Sequence, residues 1–208
     1  TVTDTNPYRD ICKTGLTDAN PMHPRPGCLV DGTAPAVAFY GDSHADALQG
    51  AFFGAAEKAG FRFYSVTRSA CPPIPGLDRT GDAASPACDA FVRGVEDYVE
   101  TNDFPVVVLA ARWTAGAAPR AYDNGEGGVE GQPGDFLPPL GVPVPADREA
   151  AVIAAYVRGI ESLLAKGHRV VLVYPIPEAG WNVPEELARR RESSSEPVTL
   201  TTDAAAYS

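Results

Sequence analysis

The chain has 208 residues, a net charge of −10, 44% apolar residues and 21% charged ones. These values fit one globular domain with a sizeable core. They exclude a nucleic-acid binder, which needs clustered Lys and Arg, and they disfavour docking on an anionic membrane surface.

Residues 1–34 show no clear periodicity, and Pro21, Pro24, Pro26 and Gly27 break any helix there. An irregular N-terminal arm (1–34) is expected ahead of the main domain (35–208). Cysteines stand at 12, 28, 71 and 88, with no close pair of the kind metal sites use. Of the three possible connectivities, the local one, Cys12–Cys28 and Cys71–Cys88, closes two short loops. Each bridge would stabilise by about 3 kcal/mol on the chain-entropy model and would imply an oxidising compartment, a periplasm or cell exterior. Four free thiols in a cytosolic protein are the alternative.

Ala36–Tyr40 is a short unbroken apolar run, as expected of a strand buried on both faces. Ala45, Leu48, Phe52, Ala55, Ala56 and Ala59 follow helical spacing, and Gly60 ends that helix. Phe61–Val66 reads as the second strand. Ser85-Pro86 looks like a cap with Pro at the first helical position. The stripe Cys88, Phe91, Val92, Val95, Tyr98 and Val99 makes the next helix. Pro105–Ala111 carries the third strand. Residues 114–146 form a long Gly- and Pro-rich loop, with Asp123, Glu126, Glu130 and Asp135 against Arg120. Such a loop is a lid, an acceptor-recognition loop or solvated filler. Asp147 caps a helix striped by Ile153, Tyr156, Val157, Ile160, Leu163 and Leu164, which Gly167 closes. Val170–Tyr174 is the fourth strand, and Pro184 opens a short helix.

Strands alternating with helices predict a parallel sheet with helices on both faces and right-handed crossovers. Ligands of such sheets sit beyond the carboxyl ends of the strands. The segments there are 41–45, 67–76, 111–118 and 175–183.

Ser43 follows the first strand and opens the first helix, whose N–H groups and dipole favour an oxyanion nearby. Two readings stand side by side: Ser43 is a nucleophile, or Ser43 or Asp42 merely caps the helix. Gly41-Asp42-Ser43 resembles the first conserved block of the SGNH (GDSL-type) hydrolases. Gly-Asp-Ser-His, with Ser69-Ala70-Cys71-Pro72-Pro73 after strand two and Ala110-Ala111-Arg112-Trp113 after strand three, looks like one subgroup. That subgroup is the extracytoplasmic SGNH domain fused to membrane-bound acyltransferases that O-acetylate surface polysaccharides. The resemblance spans roughly residues 34–182.

It implies a three-layer α/β/α, flavodoxin-like fold, with Ser43 as catalytic nucleophile. The implied activity is acetyl transfer to a sugar hydroxyl, or hydrolysis of a sugar ester. It implies a carbohydrate acceptor, a membrane-embedded acyltransferase domain as partner, and no cofactor or metal. The oxyanion hole would use Ser43, a residue near Ser69, and Arg112, because Ser69-Ala70 replace the second block's glycine and the third block's Asn is missing. Arg112 is otherwise a salt-bridged or surface arginine. Asp42, His44, Trp113 and Trp181 are the candidate substrate-binding residues, with Tyr122 near them; for the aromatics, ordinary packing is the competing explanation. The family's Asp-x-x-His motif is not found: Asp203 has no histidine three residues on. His23 lies in the arm, His44 projects differently from Ser43, and His168 belongs at the far end of strand four. The expectation is therefore that the last strand, last helix and catalytic Asp/His are absent from these residues. The competing reading is a non-catalytic carbohydrate-binding or docking module.

Overall fold

The computed structural model describes residues 7–14, 28–78, 88–117, 121–130, 147–194 and 196–201. In chain order its elements are α1 (Arg9–Cys12), β1 (Lys13–Thr14), β2 (Leu29–Val30), β3 (Ala34–Gly41), α2 (Ser43–Ala59), β4 (Phe61–Arg68), α3 (Cys88–Thr101) and β5 (Val106–Ala110). They continue with α4 (Trp113–Ala117), β6 (Tyr122–Asp123), β7 (Val129–Glu130), α5 (Arg148–Ala165), β8 (Arg169–Val173) and α6 (Val183–Glu192).

The main sheet runs β1-β4-β3-β5-β8, with every neighbour in that row parallel, and β2 pairs antiparallel with β4. The four long crossover strands thus stand in the order second, first, third, fourth. That is the doubly wound, flavodoxin-like order, whose direction of winding reverses between β3 and β5. The fold is a mostly parallel α/β sheet with helices, as the alternating pattern predicts.

β3 is apolar throughout because it is buried on both faces. Ala38 and Tyr40 join one core with Tyr64, Val66, Val107 and Leu109, closed by Phe91, Val92 and Val95 of α3 and by Val152, Ala155 and Leu163 of α5. Phe39 joins the other core with Phe63 and Val108, closed by Ala45, Phe53 and Ala56 of α2 and by Cys12 and Cys28. Helix ends follow local chemistry. Asp147 Oδ1 accepts the Ala150 N–H at 3.0 Å. Gly60 (φ 73°) and Gly167 (φ 91°) supply the left-handed turns that end α2 and α5.

The arm differs from the irregular segment expected. α1, β1 and β2 sit alongside the second strand of the core, and the predicted Cys12–Cys28 bridge is present. Two-residue strands have no periodicity to read, so their neighbours in space decide them. Likewise α4 and the β6–β7 hairpin occupy part of the long 114–146 loop. β8 is an edge strand among the described residues, so Val171 and Leu172 remain about half exposed (48% and 45%) despite their apolar run. His23, Ser85-Pro86, Arg120, Asp135 and Asp203 lie outside the described residues.

Candidate active site

Gly41, Thr67, Ala110 and Val173 stand in one row across the sheet. The residues that follow them, Asp42-Ser43, Ser69, Arg112 and Pro175, therefore share the carboxyl edge, as expected. His168 precedes β8 at the opposite edge, its Nδ1 3.0 Å from the Phe104 carbonyl. Gly41 is required by close approach: a Cβ there would collide with the Ala110 carbonyl oxygen at the point where the winding reverses.

The helix cap is Asp42. Its Oδ1 accepts the His44 N–H at 2.8 Å, and its Oδ2 accepts the Arg112 N–H at 2.8 Å from the neighbouring strand end. Burial pushes the Asp42 carboxyl above its ordinary range, against the pull of the Arg112, His44 and Ala45 N–H groups. Ser43 takes the first helical position and is exposed. Its hydroxyl makes no hydrogen bond among the described residues, so capping is not its task.

Arg112 follows β5. Its Nε and Nη2 donate to the two oxygens of Glu178 at 2.7 and 2.9 Å. Thr114 Oγ1 donates to Glu178 Oε1 at 2.9 Å. Burial raises the Glu178 carboxyl, but the bonds from Arg112 and Thr114 and the Arg112 charge outweigh it and leave Glu178 below the usual range. The bond to Glu178 holds Arg112 further up.

Ser69 and Ala70 form the turn after β4, closed by the Cys71 N–H on the Arg68 carbonyl at 3.2 Å. Ala70 adopts φ 57°, a conformation that favours glycine. The backbone shape of a glycine turn is thus kept on an alanine. The predicted Cys71–Cys88 bridge is present and ties this turn to the start of α3. Both cysteines are fully buried.

Trp113 Nε1 donates to the Val173 carbonyl at 2.9 Å, and the ring meets Tyr156 edge-to-face at 5.4 Å. Trp181 lies against Gly128, where a Cβ would come within 2.6 Å of its Cδ2, and Arg190 stands 5.2 Å from its centroid. Both indoles have packing partners. Tyr122 sits in β6, partly buried. His44 is partly buried, its Nδ1 without a hydrogen-bond partner among the described residues. No described histidine hydrogen-bonds Ser43.

Three groups near this edge escaped the sequence reading. Glu178 is one; its only signal was a lone acid in the 175–183 segment, opposite a strand-end arginine. The others are Asp46 and Arg68, both fully buried. Lys13 Nζ lies 3.1 Å from Asp46 Oδ2, and the Arg68 guanidinium carbon lies 5.7 Å from the Phe91 ring centroid.

A family model described as the SGNH domain (fused to AT3 domains) matches residues 11–208. The chain belongs to this SGNH family. The match begins within the arm, so the Cys12–Cys28 bridge lies within the SGNH domain's span. Among solved structures, the chain is similar to the periplasmic domain of a lipopolysaccharide acetyltransferase from Salmonella ser. Paratyphi A, with a TM-score of 0.59 at 16% identity. The alignment covers 87% of this chain and 61% of that one, so the chain spans about three-fifths of the neighbour's length. The likeness is one of fold. No curated protein matches the chain. No described helix of this SGNH domain is long and apolar enough to cross a membrane.

Proposed function

We propose that this SGNH domain transfers an acyl group, acetyl by preference, to carbohydrate hydroxyls of a bacterial surface polysaccharide through an acyl-serine at Ser43. It would work in the periplasm or outside the cell, beside a membrane-embedded acyltransferase domain of the same full-length protein that delivers the acyl group. The family's fusion to AT3 domains and the two disulfides support that setting.

One observation carries the reading: Asp42 does the capping, which leaves the exposed Ser43 hydroxyl uncommitted at the point where the winding reverses. Ser43 Oγ attacks the acyl carbonyl carbon, and its proton passes to a base or to solvent. The carbonyl electron pair moves onto oxygen, where the Ser43 N–H at the head of α2 and the turn at Ser69-Ala70 can meet it. Collapse expels the donor's leaving group and forms the ester. The acceptor hydroxyl then attacks that ester and frees Ser43. Water in place of the sugar would make the same site an esterase.

Arg112 is paired with Glu178, and no described histidine bonds Ser43; both facts favour a second reading, a non-catalytic carbohydrate-binding or docking module. Incubation of the full-length protein with p-nitrophenyl acetate and an oligosaccharide separates them. An acetyl adduct on the Ser43 peptide that chases onto the sugar, and is lost in Ser43→Ala, supports transfer. Loss of the adduct to water alone means esterase. Sugar binding by NMR with no adduct means a module.

A further inference from the structure

The side chain that holds Arg112 in place lies 66 positions further along the chain. Glu178 belongs to the segment after β8 and is only 9% exposed. Its carboxylate takes the Nε and Nη2 edge of Arg112 in a two-point grip, the strongest and most directional pairing open to an arginine. Nη1 donates to no described residue, and 23% of the side chain remains exposed. An unheld arginine side chain carries about 2 kcal/mol of rotamer entropy, so the grip decides where Nη1 stands.

Glu178 is itself braced from behind. The β6–β7 hairpin reaches its segment through Asn124 Nδ2 on the Ala179 carbonyl at 3.0 Å and through the Gly180 N–H on Glu130 Oε2 at 3.3 Å. Gly128 and Gly180 approach so closely that a Cβ on either would lie 2.7 Å from the other's carbonyl oxygen. Hairpin and segment therefore form one braced piece.

We infer that Glu178 is a positioning residue for the acyl site: it holds Arg112 so that Nη1 alone is left to meet the acyl oxygen beside Ser43. The inference rests on the acyl-serine reading above. Because the pair is neutral overall, Arg112 offers a directed N–H rather than a bare charge. That suits the oxygen of an uncharged ester.

The test uses the 208-residue chain and a fluorophosphonate probe, from which Ser43 Oγ displaces fluoride. The labelling rate is read by mass spectrometry, and the Arg112 Nε–H signal by NMR. Glu178→Gln should slow labelling about 10-fold or more, the size expected when a charge-assisted bond is lost. Arg112→Lys should do the same, and the double variant should fall no further than either single one. Thr114→Val, which removes one bond to Glu178 and no charge, should act in the same direction more weakly. Lys166→Gln, which breaks the ion pairs to Glu96 and Glu100 at the opposite edge, should lower Tm but leave labelling unchanged.

Unchanged labelling in folded Glu178→Gln overturns the inference, whatever Tm does. So do effects of Glu178→Gln and Arg112→Lys that multiply. If Ser43 of the unmodified chain reacts no faster than serines of the unfolded chain, the acyl-serine reading fails instead. The NMR signal then decides: a slowly exchanging Arg112 Nε–H lost in Glu178→Gln upholds the grip, and one that persists overturns it.

Discussion

The Arg112 backbone N–H donates to Asp42 Oδ2 at 2.8 Å, so the strand end of β5 closes onto the helix cap that follows β3. One carboxylate thus serves two elements, on either side of the point where the winding of the sheet reverses. Removing it leaves the first turn of α2 uncapped and a strand-end N–H without its acceptor. Asp42→Ala should cost about 1–3 kcal/mol, combining a lost cap with an orphaned donor. Ser43→Ala, one residue away, should change stability by less than about 0.5 kcal/mol, because the exposed serine holds nothing together. Urea unfolding of both variants checks the contrast. Equal losses would mean that Ser43 shares the capping.

Gly41→Ala tests the packing at the same point. The new methyl would meet the Ala110 carbonyl oxygen and the Ala45 side chain. Backbone cannot rotate away as a side-chain tip can, so the strands must part. A loss of about 3 kcal/mol or more is expected, at the upper end for overpacking. A variant with an unchanged midpoint would show that β3 and β5 stand further apart than described.

The Glu178 carboxyl is held low by Arg112 and Thr114 despite its burial. Its folded value lies below the unfolded one of about 4.3, so its contribution is present above that pH and is lost as pH falls through the folded value. The Tm difference between the unmodified chain and Glu178→Gln should therefore be widest near pH 6–7 and shrink as pH drops below about 4. A difference that stays constant down to pH 3 would mean that Glu178 does not ionise in the fold.

The Cys71–Cys88 bridge anchors the left-handed turn at Ala70. Replacing both cysteines with serine should cost about 3 kcal/mol on the chain-entropy model. It should also speed amide exchange at Ala70 and Cys71 more than at Tyr40, deep in β3. Uniform acceleration would reduce the bridge to a global staple with no local effect on the turn.

What the sequence made legible was whatever repeats over many residues. Val106–Leu109 is too apolar to lie anywhere but the sheet interior, and the stripe from Cys88 to Val99 can bury only one face. Gly41 and Asp42 were readable because a strand meeting a helix allows few residues at the corner. β1 and β2 were not, since two residues carry no period and only β4 makes them strands. The hairpin at 122–130 depends on Asn124, whose Oδ1 accepts the Glu126 and Gly128 N–H groups at 2.9 Å each. Glu178 meets Arg112 only because a crossover folds it back, which no local pattern encodes. Trp181 reads in the sequence either as an acceptor contact or as ordinary packing, and its neighbours Gly128 and Arg190 come from two other segments.

The last expectation concerns how Ser43 loses its proton. A serine served by a hydrogen-bonded imidazole reacts with a rate that levels off above the imidazole's pKa, near 6.5 when unperturbed. No described histidine bonds Ser43, and His168 stands at the opposite edge of the sheet. With no described imidazole bonded to Ser43, its proton would pass to solvent, and its gain over a serine of the unfolded chain would come from the oxyanion site alone. Losing a triad member costs on the order of 10⁴–10⁶ in turnover, with only the oxyanion site and binding left. This 208-residue chain should therefore hydrolyse p-nitrophenyl acetate little above background. Labelling of Ser43 by a fluorophosphonate should rise about tenfold per pH unit from pH 6 to 9, in step with hydroxide and without a plateau. His44→Gln should leave that slope unchanged, and His168→Gln likewise. A plateau near neutral pH that vanishes in either variant would identify that histidine as the base and overturn its placement away from Ser43.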